Sequence, residues 1–131
     1  MVQLKDFSAT LVSDTAKQEA AKCINKNSDK NSQLRKFYDE LVMWHDMVFA
    51  LQDPQEQNKK YEAVAPYIQM LRAKVAYAHA CDEKVSENFR SMFDSVISGI
   101  NSKEDLKHAR MYMEAFMGFL KYERFIRKIN D

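Results

Sequence analysis

Apolar residues recur at three-and-four spacing along most of this chain, the mark of helices that each bury one stripe. From residue 32 to about 51, Leu34, Phe37, Tyr38, Leu41, Val48 and Leu51 define one such face. Ser32 precedes them as an N-cap, its hydroxyl able to accept a backbone N–H that the first turn leaves orphaned. Upstream, Ser13 and residues 16–24 read as a short helix rich in Ala and Lys. Residues 1–12 show no clear period and read as a loose or partly docked arm, and the polar run 25–31 reads as a linker. Asp53-Pro54-Gln55-Glu56 restarts a helix, with Asp as cap, Pro at the first helical position and Glu at the third. Pro66 biases Ala65 out of the helical region, which predicts a short helix ending near Glu62 and a new one over 66–81. Its face carries Val64, Ile68, Leu71, Val75 and Ala78.

Asp82 and Glu83 precede the next stripe, Val85, Phe89, Met92, Phe93, Val96 and Ile97. Gly99 is expected to close it as a left-handed C-terminal cap, with Ile100 packing back on the last turn. Ser102 then caps the longest helix, with Glu104 and Asp105 in the turn where the dipole favours acids, running to about Lys128. Its middle is apolar nearly all round. Leu106, Ala109, Met113, Met117 and Leu120 form one face, Tyr112, Phe116 and Phe119 a second, and Met111, Ala115 and Tyr122 a third; Arg110, Glu114 and Lys121 leave a narrow polar strip. A surface helix needs only about a 100° apolar arc, so this one is either central to the bundle or carries a second interface.

Composition sharpens the fold class. With 131 residues, two glycines and two prolines, the chain has little turn chemistry for strands. It is read as an all-α, single-domain protein over 1–131, a compact bundle of about five helices with a long C-terminal helix. The net charge of +1 gives no global pull toward nucleic acid or membrane, so any phosphate binding rests on a local patch. Cys23 and Cys81 are isolated and fit two ordinary thiols in a reducing cytoplasm. The absence of a basic-then-apolar leader and of a membrane-length apolar run leads to the same expectation, with no membrane partner.

Little in the sequence suggests catalysis. Asp105 and His108 stand at i, i+3, as in one corner of a di-metal bundle site, but the second acid-x-x-His motif is missing. His45, His79 and His108 fall on different predicted helices, without a Gly-flanked nucleophile or a Gly-rich phosphate loop. His45 and Trp44 read as packing or surface residues. No catalytic residue, metal or cofactor is expected.

The cations are more informative. Arg35 and Lys36 sit in the first turn of their helix, where they oppose the macrodipole at roughly 0.3–1 kcal/mol each. Either they are solvated surface charges, or they and the free N–H groups hold an anion such as a phosphate. Lys74 lies within the arc of Tyr67, Met70, Leu71, Val75, Tyr77 and Ala78. It must snorkel out, pair with an acid or meet a ligand anion, and snorkelling is the simplest of these. Tyr77 puts an aromatic surface beside that cation, which suits ribose–phosphate contact and a core rim equally. Arg72 is placed on the polar side, and Lys121, Arg124, Arg127 and Lys128 complement the dipole at the C-terminus.

Three segments together resemble a known family. Ser32-Gln33-Leu34-Arg35-Lys36-Phe37-Tyr38, then Met70-Leu71-Arg72-Ala73-Lys74-Val75-Ala76-Tyr77-Ala78, then Met113-Glu114-Ala115-Phe116 with Lys121-Tyr122 are similar to the small subunit of type III-A CRISPR–Cas effector complexes, the Csm small subunit. The resemblance implies a non-catalytic helical bundle. Copies of it stack as an inner filament beside the backbone subunits, with the large subunit as a further partner. It also implies contact with the guide RNA–target RNA duplex, chiefly with the sugar–phosphate backbone of the target strand. On these motifs the RNA-binding candidates are Ser32, Gln33, Arg35, Lys36, Arg72, Lys74, Tyr77 and Lys121, with Arg35 and Lys36 as the leading phosphate contacts. Many relatives carry an arginine a few residues after the motif tyrosine. Here Tyr77 is followed by Ala78-His79-Ala80-Cys81-Asp82, and that contact would pass to His79 or Lys84. The alternative reading is a purely structural helical adaptor or homodimerisation module without RNA contact.

Overall fold

The computed structural model describes residues 2–25 and 27–129; Met1, Lys26, Asn130 and Asp131, which belong to the expected arm, linker and domain range, lie outside the described residues. Among the described residues the bundle has five α-helices: α1 (Ala16–Lys22), α2 (Asn31–Phe49), α3 (Pro54–Ala80), α4 (Glu87–Ser98) and α5 (Lys103–Ile126). Among the described residues there is no strand. A 3-10 turn (Leu4–Asp6) and a π-helical turn (Leu11–Thr15) precede α1.

The stripes read from the sequence form the core. Leu34, Leu41 and Val48 of α2, Ile68, Leu71 and Val75 of α3, and Phe89, Phe93, Val96 and Ile97 of α4 are all buried. Phe37, Phe89, Phe93 and Phe116 make an aromatic cluster with centroid separations of 5.4–6.4 Å, joining α2, α4 and α5. Two faces of α5 are consumed this way, since Leu106, Ala109, Tyr112, Met113, Phe116, Met117 and Leu120 are buried. Its third face is not, as Met111 and Tyr122 stay exposed.

Four sequence-based boundaries are corrected. Residues 2–12 are docked: Val2, Leu4 and Leu11 are buried, and Phe7 stacks on His108 with centroids 3.9 Å apart. Helix α2 begins two residues earlier than a Ser32 cap implies, at Asn31, with Lys30 as N-cap and no side-chain capping bond, so Ser32 is not the cap. The cause lies in the polar run before it. Asp29, fully buried and left-handed at φ 54°, donates its N–H to the Lys84 carbonyl, and its carboxylate accepts from the Ser86 N–H at 2.7 Å and from Asn25 Nδ2 at 3.2 Å. Burial raises the Asp29 pKa above the ordinary carboxylate range despite these bonds and the nearby Arg124.

The third correction concerns Pro66, which lies inside one continuous α3 rather than between two helices. Proline there removes a hydrogen bond and costs about 3 kcal/mol. Val64 and Ile68, buried on either side of it, contribute about 1.5–3 kcal/mol each and hold the helix through the defect. Both Pro66 and Glu62, whose carbonyl loses its donor, are exposed to water. The fourth is Gly99, which is right-handed at φ −79°. Its missing Cβ matters for room, because a Cβ would stand 3.3 Å from the Ser95 carbonyl and 3.5 Å from Leu4 Cδ1. Ile100 does pack back and is buried.

Candidate nucleic-acid interface

Cross-contacts fix how the helices around α2 run. Lys74 and Glu40 pair across α2 and α3, as do Tyr67, seven residues before Lys74, and Trp44, four residues after Glu40, so these helices are antiparallel. Lys107 Nζ lies over the Phe49 ring at 5.6 Å, while Tyr38 feels the charges of Glu114 and Arg110, so α5 is antiparallel to α2 as well. One end of the bundle therefore gathers the N-terminus of α2 with the C-termini of α3 and α5.

At that end Arg35 and Lys36 are both exposed. Among the described residues Arg35 makes no hydrogen bond or ion pair, and Lys36 makes a single 3.4 Å contact to Gln33 Oε1. Ser32 is exposed and Gln33 half-buried in the same turn. By helical spacing the two cations stand about 100° apart around α2 and lean toward different neighbours. Lys36 lies one turn before Glu40, along the α3 border, and Arg35 lies one turn before Tyr38, along the α5 border. Counting along α5 from Glu114 places Lys121, also exposed, level with the first turn of α2.

The remaining candidates divide. Lys74 Nζ pairs with Glu40 Oε1 at 2.9 Å while half exposed, so of the three fates open to it the lysine meets an acid. Glu40 also accepts from Trp44 Nε1 at 3.2 Å, and Trp44 stacks on Tyr67 at 5.4 Å. Tyr77, one turn beyond Lys74, is exposed and level with Lys36, so Lys36, Tyr77 and Lys74 follow one edge. Arg72 stands apart. It binds Asp94 through Nε at 2.7 Å and Nη2 at 3.3 Å, which ties α3 to α4 and raises its pKa. His79 is likewise occupied, with Nδ1 2.8 Å from the Val85 carbonyl and Nε2 3.5 Å from Glu87.

The structure adds Lys30, which the sequence did not single out. With Asn27, Ser28, Gln33 and Lys84 it lines a hollow of about 210 Å³ beside the start of α2. Its signal is its place just ahead of the helix, masked by the N-cap chemistry of Ser32. In contrast, Arg124 leaves the C-terminal cation group: it is buried and donates from Nη1 to the Asn25 carbonyl at 3.0 Å, and Arg127 pairs with Glu123 at 3.3 Å.

Residues considered for metal or nucleophilic chemistry have structural partners. Asp105 Oδ2 accepts from the Asn101 N–H, His108 stacks on Phe7, and His45 contacts Asp46 and Phe49. Among the described residues no three His, Cys, Asp or Glu side chains converge as a metal site. Cys23 is buried and burial pushes its thiol pKa up, while Cys81 is exposed; both are free. No helix among the described residues is long and apolar enough to cross a membrane.

The family model described as Csm2 Type III-A matches residues 6–128. No curated protein and no solved structure matches.

Proposed function

Because the chain belongs to the type III-A Csm2 family, and is on that ground a subunit of a type III-A CRISPR complex, we propose that it is a non-catalytic, RNA-contacting subunit. Copies of it stack as an inner filament beside the backbone and large subunits. They hold the sugar–phosphate backbone of the guide RNA–target RNA duplex at the first turn of α2. One observation carries this reading: Arg35 is exposed in the first turn of a 19-residue helix, without an ion pair or hydrogen bond among the described residues, with Lys36 beside it. Two cations at the positive end of a helix are unfavourable for the isolated chain and favourable once an anion sits there. Lys121, Lys36–Tyr77–Lys74 and the hollow at Lys30 and Lys84 extend the cationic surface to either side. Ser32 and Gln33 offer polar groups in the same turn, and Arg72 supports the scaffold through Asp94 unless RNA displaces it.

Arg35→Ala with Lys36→Ala should leave helicity and thermal midpoint unchanged, or slightly raised, because an unfavourable dipole interaction is removed. Retention of target RNA by the assembled complex should fall by about tenfold or more, the scale of one or two charge-assisted contacts. Unchanged retention would remove these residues from the interface. The second reading, a structural adaptor or homodimerisation module without RNA contact, is favoured by Met and aromatic side chains exposed on α3 and α5. Photocrosslinking of target RNA within the complex separates the two, since the adaptor gives no crosslink in the first turn of α2.

A further inference from the structure

One face of α3 carries a strip that the first turn of α2 does not explain. Tyr67, Met70, Lys74 and Tyr77 follow one another at spacings of 3, 4 and 3 residues and so line one side of the helix. Tyr67 is 53%, Met70 54% and Tyr77 62% exposed, which leaves the strip open to solvent along its length. From residue 63 to 81 there is no Asp or Glu, although the chain carries 19, while Arg72, Lys74 and His79 fall within the stretch. The strip is therefore aromatic and cationic, and the acid beside it, Glu40, comes from α2.

We propose that this strip binds unpaired nucleotides of the RNA held at the first turn of α2, with bases stacking on Tyr77 and Tyr67 and a phosphate between them meeting Lys74. The inference rests on the RNA-contacting reading above and adds a second kind of ligand to it, single-stranded rather than duplex. Tyr67 is a prepared platform. Its ring lies against Trp44 with centroids 5.4 Å apart and planes 22° from parallel, and Trp44 Nε1 donates to Glu40 at 3.2 Å. A ring ordered in advance loses little freedom when a base settles on it.

Tyr77, level with Lys36, receives the strand first. At 1.5 Å of helix rise per residue, Lys74 lies about 4.5 Å and Tyr67 about 15 Å farther along α3. Bases stacked on one another are only roughly 3.4 Å apart, so the two rings hold splayed bases rather than neighbours in a stack. Within a duplex those base faces are covered by adjacent pairs, and the strip thereby selects unpaired nucleotides. Lys74 can serve because its pair with Glu40 is half solvated, and a pair of that kind is weak enough for a phosphate to replace the carboxylate. Glu40 still accepts from Trp44 when the lysine leaves, so the platform persists. An exposed Met and aromatic surface also suits a protein partner. The acid-free stretch and the continuity with Lys36 favour a polyanion instead.

Equilibrium binding of the full chain at low salt, to a uridine decamer and to an RNA duplex of equal length, tests the proposal. Tyr77→Ala should weaken decamer binding at least about fivefold, the scale of one base–aromatic stack, and leave duplex binding within about twofold. Tyr77→Phe should keep the parent affinity, since stacking needs the ring and not the hydroxyl. Tyr67→Ala and Tyr67→Phe should behave in the same way, with the phenylalanine preserving the ring on Trp44. Thermal midpoints confirm that each variant is folded. Undiminished decamer affinity in both alanine variants overturns the stacking, and so does an equal loss for both RNAs, the mark of backbone contact alone. Alanine variants that bind RNA as the parent does but fail to enter the assembled complex identify a protein-docking surface, which also overturns it. Arg35→Ala with Lys36→Ala keeps the two readings apart, because that variant should lose the duplex. A parent chain that holds the duplex through those cations and ignores the decamer refutes the strip alone, whereas a parent that binds neither RNA refutes both.

Discussion

Asp29 shows how a single carboxylate can hold a loop and oppose folding at once. It joins the 25–31 run to the α3–α4 connection through Ser86 and Lys84, yet burial raises its pKa. The folded form therefore holds its proton more tightly than the unfolded chain. Its contribution is full below the unfolded pKa and is lost as pH rises through the higher folded value. Asp29→Asn keeps an acceptor for the Ser86 N–H and does not ionise. Relative to the parent, this variant should gain stability as pH rises from about 3.5 to 7, read by urea denaturation at both ends. The Lys74–Glu40 pair lies at the other extreme, half solvated, and a double-mutant cycle should return no more than about 1 kcal/mol.

At the scale of elements, α3 gives the plainest prediction. Pro66→Ala restores a donor to the Glu62 carbonyl in a helix that is already continuous, so it should stabilise the protein by about 1–3 kcal/mol in urea denaturation. Loss of stability would mean that the proline ring does unseen packing. The same helix shows what sequence could and could not convey. Local signals were readable: Asp53 and Ser102 are caps, accepting from Glu56 and Asp105, and the buried stripes of α2, α4 and α5 follow their periodicity. What failed to show depended on distant residues. Pro66 was overruled by the burial of Val64 and Ile68. The start of α2 was set by Asp29 and Ser86, 57 positions apart, and Lys74 found Glu40, 34 positions away. The candidate site was legible in part for the same reason. Arg35 and Lys36 are neighbours in sequence, whereas Lys121 and Lys84 join them only once the helices turn back.

For the whole molecule, a formal charge of +1 means that affinity for RNA is built from few contacts per copy. If two phosphates are neutralised by each subunit, log K should fall with log salt with a slope of only about −1.4 for single-stranded RNA. A much steeper slope would point to a larger cationic footprint than the first turn of α2. The free protein should bind weakly, and the assembled complex strongly, because repetition along the duplex multiplies modest contacts.

Trp44, the chain's only tryptophan, supplies an unplanned instrument for such measurements. Its indole donates to Glu40 and lies on Tyr67, and Glu40 is the partner of Lys74. An oligonucleotide that recruits Lys74 must draw it away from Glu40, and the altered charge beside the indole should shift its emission. Contacts confined to Arg35, nine residues earlier and on the opposite border of α2, should leave the spectrum still. Unlabelled protein titrated with RNA would therefore report, by colour alone, which flank of the helix the strand has reached.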